Sequence, residues 1–233
     1  MTADSRRPAR PSRALPALYP IIDVDLCGLR GLDPRALAQA CLTGGARLLQ
    51  VRQKGRANGG GTLLSLAREV VALARQFDAT VLVNDRADLA LMAGAAGVHV
   101  GQQDLPVSVV RTLLGDDAIV GVSTHTPEQI VEALSGSADY LAVGPVFSTA
   151  TKETGYTPRG LELVRQAAGR GKPVVAIGGV TLENARAVLA AGAASVAIIS
   201  DLLSDADPEE RVRRMVNGRW EMGKPSDRGG SAE

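Results

Sequence analysis

Short apolar runs alternate with longer amphipathic stretches along almost the whole chain. Aliphatic and β-branched residues crowd into positions 18–22, 48–51, 80–83, 97–100, 118–122, 140–143, 173–177 and 195–199. Runs this short, with little polar alternation, are those of parallel strands buried on both faces. Between them, apolar residues recur at helical spacing over 33–41, 62–76, 86–93, 106–114, 127–134, 158–168, 182–191 and 208–215. The pairs Asp33-Pro34, Thr126-Pro127 and Thr157-Pro158 each set a capping side chain before a proline at the first helical position, and Thr181 reads as a further cap. Glycine-alanine phrases around Gly44, Gly94 and Gly192 follow three of the predicted helices, where glycine allows the left-handed stop.

The repeating unit is strand, loop, helix, small-residue turn. Eight such units predict an α/β chain folded as a closed (β/α)8 TIM barrel. An open doubly wound sheet is the alternative, but no glycine fingerprint dominates the turn after the first strand. A chain of 233 residues suits one such domain, placed here over residues 17–217. Residues 1–16 carry Arg6, Arg7, Arg10 and Arg13 among Pro, Ala and Ser. They lack the apolar stretch of a secretory signal and read as a disordered leader; residues 218–233 read as a disordered tail.

Composition narrows the function. A net charge of +1 with 3% aromatic residues offers no basis for binding nucleic acid. No apolar window approaches the ~18 residues of a membrane span. Cys27 and Cys41 are too few for a disulfide framework or a zinc site. The expectation is a cytoplasmic protein, with homo-oligomerisation left open.

In a barrel the chemistry lies at the carboxyl ends of the strands, and here those ends are polar. The second run closes on Gln50, Val51, Arg52, Gln53 and Lys54, and alternation puts Gln50, Arg52 and Lys54 on one side. Such a stripe suits a polyanion; its bland alternative is a solvated rim. Asp85 and Asp104 leave adjacent strands and suit Mg2+ shared with substrate phosphate oxygens, or else each caps the helix that follows it. Ser123 and Thr124 supply hydroxyls at the end of the fifth run, where His125 reads as support and no nucleophilic triad is legible. His99 reads as a packed, satisfied histidine. The loop after the sixth run carries Ser148, Thr149, Thr151 and Lys152, and the seventh and eighth runs end at Gly178-Gly179 and Ile199-Ser200, the usual barrel site for one phosphate. Two anion sites are therefore expected.

Taken in barrel order, these motifs resemble the thiamine-phosphate synthase family over about residues 18–202. The most specific stretch runs from Val83-Asn84-Asp85-Arg86 to His99-Val100-Gly101-Gln102-Gln103-Asp104. The resemblance implies a transferase that joins a hydroxymethylpyrimidine diphosphate to a thiazole phosphate by a dissociative, Mg2+-assisted substitution. It implies that Gln50, Arg52, Lys54, Asn84, Ser123 and Lys152 hold the pyrimidine diphosphate and that Asp85 and Asp104 ligate Mg2+. Thr149, Thr151, Gly179, Ile199 and Ser200 would hold the thiazole phosphate. Arg52, Lys54, Lys152 and Ser123 would form the catalytic set. Gln53, Ile22 and Ser148 depart from the family's usual Glu, Thr and Pro. A thiazole tautomerase or a non-catalytic regulator that binds thiazole phosphate is the alternative on the same barrel.

Overall fold

Each of the eight apolar runs forms a strand, within two residues of its predicted ends. The computed structural model describes residues 14–55, 59–149 and 155–218. The strands are β1 Leu18–Asp23, β2 Leu48–Arg52, β3 Thr80–Asn84, β4 Gly97–Val100, β5 Ile119–Thr124, β6 Tyr140–Val143, β7 Val174–Ile177 and β8 Ser195–Ile198. They pair in parallel and in chain order, and β8 returns to β1, so the sheet closes into the expected barrel.

The helices that cover it are α1 Val24–Leu29, α2 Pro34–Thr43, α3 Gly60–Arg75, α4 Ala87–Ala93, α5 Val107–Leu114, α6 Pro127–Ser135, α7 Gly160–Ala167, α8 Ala185–Ala190 and α9 Pro208–Val216. Asp33 caps α2 through the Arg35 amide, and Thr126 caps α6 through the Gln129 amide, as predicted. Two predicted caps fail. Helix α7 begins only at Gly160, with Arg159 at its cap position, so Thr157 lies upstream of it. Helix α8 begins after a turn in which the Thr181 amide donates to Asn184 Oδ1, so the side chain that organises this corner is Asn184. Helix α1 was not anticipated. Its six residues are too few to show a period, and its cap, Asp23, is also the last residue of β1.

Alternation along the strands separates two apolar cores. Leu18, Ile22, Leu49, Val51, Val83, Val98 and Val120 face the helices and join the larger cluster. Tyr19, Ile21, Leu48, Leu82, Ile119, Tyr140, Ala142, Val175 and Ala197 fill the barrel interior. The interior residues stop short of the carboxyl ends of the strands. There the inward positions become Asp23, Gln50, Arg52, Asn84, His99 and Ser123, all buried. Register sets their neighbours: Asp23 lies beside Arg52, Asn84 beside His99, and His99 beside Gly121. Ile22 faces the helices and is fully buried there, so the departure at this position changes outer packing rather than the interior.

Candidate active site

An open cavity of about 810 Å³ occupies the carboxyl mouth of the barrel. Its walls include Gln50, Arg52, Asn84, His99, Ser123, His125, Thr149, Gly179, Ile199 and Ser200. Eight of the predicted site residues line this one opening, Lys54, Asp85 and Asp104 are placed below, and Thr151 and Lys152 lie outside the described residues.

The basic stripe does face inward, but its charges are engaged. The Arg52 guanidinium pairs with the Asp23 carboxylate, and both side chains are under one-tenth exposed. Asp23 also accepts from the Leu26 amide at 3.0 Å, which ties the pair to the first turn of α1. Asp25 accepts from the backbone amides of Lys54 and Gly55 at 2.7 and 2.8 Å and so fixes the chain as it leaves β2. Gln53 faces away, and its side chain bonds the Gly55 carbonyl at 3.3 Å.

Asp85 meets both Lys54 and Asp104 just beyond the strand ends. The Lys54 ammonium pairs with Asp85, whose side chain is far less exposed than that of the lysine. Asp85 takes a left-handed backbone conformation, φ +59°, which aspartate tolerates better than most residues. Its amide donates to the His99 carbonyl at 2.7 Å, anchoring the end of β3 to β4. Asp104 accepts from the Gly101 amide at 2.7 Å, closing the loop after β4. Neither aspartate caps a helix, because α4 and α5 have no side-chain cap. The two carboxyls lie within hydrogen-bonding reach of each other. Burial raises the pKa of Asp85 above the ordinary carboxylate value; hydrogen bonding to Lys54 opposes this, and Asp104 adds to it. Paired hard oxygens that resist ionising together form a donor set suited to a divalent cation. Among the described residues no group of three or more His, Cys, Asp or Glu is placed to hold a metal.

Asn84 carries a direct sign of a missing partner. Its Nδ2 is buried on the cavity wall and makes no hydrogen bond. An unpaired buried amide costs about 1–3 kcal/mol, a cost that a ligand accepting from it would remove.

A profile of the thiamine monophosphate synthase family matches residues 18–202. The chain belongs to the thiamine monophosphate synthase family. Thiamine-phosphate synthase from Anaeromyxobacter dehalogenans (strain 2CP-C) is 48% identical over 186 residues, which cover 79% of this chain and 82% of that one. Thiamine-phosphate synthase from Koribacter versatilis (strain Ellin345) is 43% identical over 213 residues, covering 87% and 95%. The solved thiamine phosphate pyrophosphorylase from Pyrococcus furiosus superposes with a TM-score of 0.76 at 31% identity, covering 87% of this chain and 96% of that one.

Within this thiamine monophosphate synthase barrel, the far side of the cavity is built by the β7 and β8 loops. Gly179 has φ +63°, and a Cβ there would lie 2.5 Å from the Ser148 carbonyl oxygen. Only glycine lets the β6 and β7 loops approach so closely. Asn184 Nδ2 holds the Gly179 carbonyl at 2.9 Å. Behind the loops, Asp201 accepts from the Leu182 amide at 2.9 Å and forms a two-point pair with Arg211 of α9 at 2.7 and 3.1 Å. His125 acts as support: its Nδ1 meets the Gly144 carbonyl at 2.5 Å and its ring stacks on Tyr156 at 4.4 Å.

Sequence reasoning missed Asp23, Asp25, Tyr19, Tyr140 and Asp201. Asp23 was findable, since it continues the inward alternation of Tyr19 and Ile21. Asp201 gave no such signal, because its partner Arg211 lies on a helix ten residues away.

Proposed function

We propose that this chain is a thiamine-phosphate synthase, joining an aminopyrimidine-methyl diphosphate to a thiazole phosphate with release of diphosphate. The observation that carries the proposal is the convergence of Gln50, Arg52, Asn84 and Ser123 on one cavity, beside the Asp85–Asp104 pair at its rim. A site for the thiazole phosphate alone gives no account of this half of the mouth. Gln50, Arg52, Lys54, Asn84 and Ser123 bind the pyrimidine diphosphate, joined by Lys152. Thr149, Thr151, Gly179, Ile199 and Ser200 bind the thiazole phosphate.

Asp85 and Asp104 would hold Mg2+, with diphosphate oxygens and water completing its shell. When bound, the ion stabilises the charge that gathers on the departing diphosphate. The carbon–oxygen bond to the pyrimidine methylene breaks, the diphosphate leaves with the electron pair, and a carbon–nitrogen bond forms to the thiazole. The attacking nitrogen has no proton to lose, so the chemistry needs placement and charge stabilisation more than a general base. Asn84 Nδ2 and the Ser123 hydroxyl donate to diphosphate oxygens. Lys54, which pairs with Asp85, would offer its ammonium to the diphosphate. Arg52 stays fixed by Asp23 and offers its remaining N–H groups in a set orientation.

The test is release of diphosphate from the purified chain given both substrates and Mg2+. Turnover that needs both substrates is expected; binding of thiazole phosphate with no turnover would leave the regulator reading instead. Among the described residues, no helix is long and apolar enough to cross a membrane.

A further inference from the structure

A chain of hydrogen bonds crosses the barrel interior beneath the cavity and ends on two of its polar groups. Gln50 Nε2 donates to Tyr19 Oη at 2.8 Å, and Tyr19 Oη lies 3.2 Å from Tyr140 Oη. Tyr140 Oη lies 3.0 Å from His99 Nδ1, and His99 Nε2 lies 2.9 Å from Ser123 Oγ. All five residues are buried. Gly121 makes the crossing possible. It sits in register between His99 on β4 and Tyr140 on β6, and a Cβ there would lie 2.0 Å from Tyr140 Cζ. The bare backbone lets the two rings stack across β5, with centroids 5.6 Å apart.

Counting protons gives the chain a direction. Each hydroxyl has one proton to donate, and a neutral imidazole has one N–H. Tyr19 accepts from Gln50, so its own proton goes to Tyr140. Tyr140 then donates to His99 Nδ1, which leaves the imidazole proton on Nε2, directed at Ser123 Oγ. Ser123 accepts there and keeps its own proton for the cavity. At the opposite end Gln50 has committed one N–H of its amide to Tyr19 and keeps Oε1 as an acceptor beside its second N–H. Burial raises both phenol pKa values, so the two tyrosines remain protonated links. The opposite direction requires the Gln50 amide to turn over, which would present a donor at Gln50 and an acceptor at Ser123.

We infer that Tyr19, Tyr140 and His99 are positioning residues that fix this polarity, so that the cavity reads an N–H donor at Gln50 and an acceptor oxygen at Ser123. None of the three needs to touch the reacting atoms. Taken with the proposed function, on which this part rests, the ligand is an amino-substituted heterocycle bearing a diphosphate: its amino group donates to Gln50 and a diphosphate oxygen accepts from Ser123. An analogue with oxo in place of amino sets a second acceptor against Gln50 Oε1 and binds less tightly.

Two measurements test this. In the free protein labelled with 15N-histidine, His99 is expected as the Nε2–H tautomer, with a pyridine-type Nδ1 that shifts in Tyr140→Phe. A His125→Gln sample assigns the second of the two histidines. Calorimetry with Mg2+ is expected to show the wild type preferring the aminopyrimidine diphosphate over its oxo analogue by about tenfold or more. Tyr140→Phe, which keeps the ring, should bring the ratio toward one while leaving thiazole phosphate affinity unchanged. Tyr19→Phe breaks the chain one link away and should do the same if Tyr140→Phe folds poorly. An Nδ1–H tautomer of His99 in the wild type, or an amino preference that survives both variants, overturns the inference. Failure of the wild type to bind the aminopyrimidine diphosphate at all would instead overturn the functional reading, and the tautomer would still decide the polarity.

Discussion

Asp23 and Arg52, register partners on β1 and β2, form a buried ion pair at the mouth of the barrel. The pair explains how an arginine can sit buried in the cavity wall without a ligand. Removing one member leaves the other charged and desolvated, at a cost of about 3–5 kcal/mol. Asp23→Ala also removes the cap of α1, so its loss should lie at the upper end of that range. Urea denaturation checks this. The double variant Asp23→Ala/Arg52→Met should recover part of the loss; a double variant no more stable than Asp23→Ala would show that the cap, not the charge, was at stake.

Asp85 is held against its own ionisation. Burial is the largest influence and raises its pKa, with Asp104 acting in the same sense and Lys54 opposing. A carboxyl whose pKa is higher in the folded chain favours the fold when protonated. That contribution is complete below the unfolded pKa and is lost as pH rises through the folded pKa. At neutral pH the ionised group therefore costs stability. Asp85→Asn keeps a residue that tolerates φ +59° and removes the charge. Its urea midpoint at pH 7.5 is expected to equal or exceed that of the wild type, with the difference shrinking at pH 5. The stabilisation conferred on the wild type by Mg2+ with diphosphate should vanish. A variant that loses stability at pH 7.5 and regains it at pH 5 would reverse the sign and reject the assignment of burial as the cause.

The fold was legible because its signal is local. Eight apolar runs alternating with eight amphipathic stretches were enough to order the strands, and parity alone turned Gln50 and Arg52 inward. The gathering of Asp85 and Asp104 was legible because both stand just beyond neighbouring strands. What could not be read was who neutralises whom. Nothing in the sequence set Asp23 beside Arg52, and the reading of His99 as a packed, satisfied histidine holds without having named Tyr140 and Ser123 as the partners of its two nitrogens. Those facts depend on interstrand register and on the space left by Gly121, which no single segment specifies.

Gly121 is required for its lack of a side chain rather than for its backbone freedom. A Cβ there would lie 2.0 Å from Tyr140 Cζ and 2.3 Å from its Oη. Overpacking of this sort costs about 1–3 kcal/mol. Gly121→Ala should lose that much in the wild type and much less in a Tyr140→Leu background, where the offending ring is gone. A double-mutant cycle by urea denaturation measures the difference. An equal cost in both backgrounds would mean that the alanine is accommodated by a shift of β5 instead.

Asp201 joins three pieces of the β7–β8 end of the mouth that are remote in sequence. It accepts from the Leu182 amide in the β7 loop, follows directly on Ser200 in the β8 loop, and makes a two-point pair with Arg211 of α9. Arg211 reaches on to Asp205 at 2.6 Å, so losing one carboxylate does not leave the guanidinium bare. The expected stability cost of Asp201→Ala is therefore below the roughly 3–5 kcal/mol of a fully orphaned buried pair. The functional effect should be local. Release of Leu182 loosens the corner that carries Gly179, so KM for the thiazole phosphate should rise about tenfold, while KM for the pyrimidine diphosphate stays within about twofold. Asp201→Asn keeps an acceptor for the Leu182 amide and should fall between the alanine variant and the wild type. Steady-state kinetics with each substrate varied in turn checks the split; equal rises in both KM values would show that Asp201 supports the barrel as a whole rather than one half of its mouth.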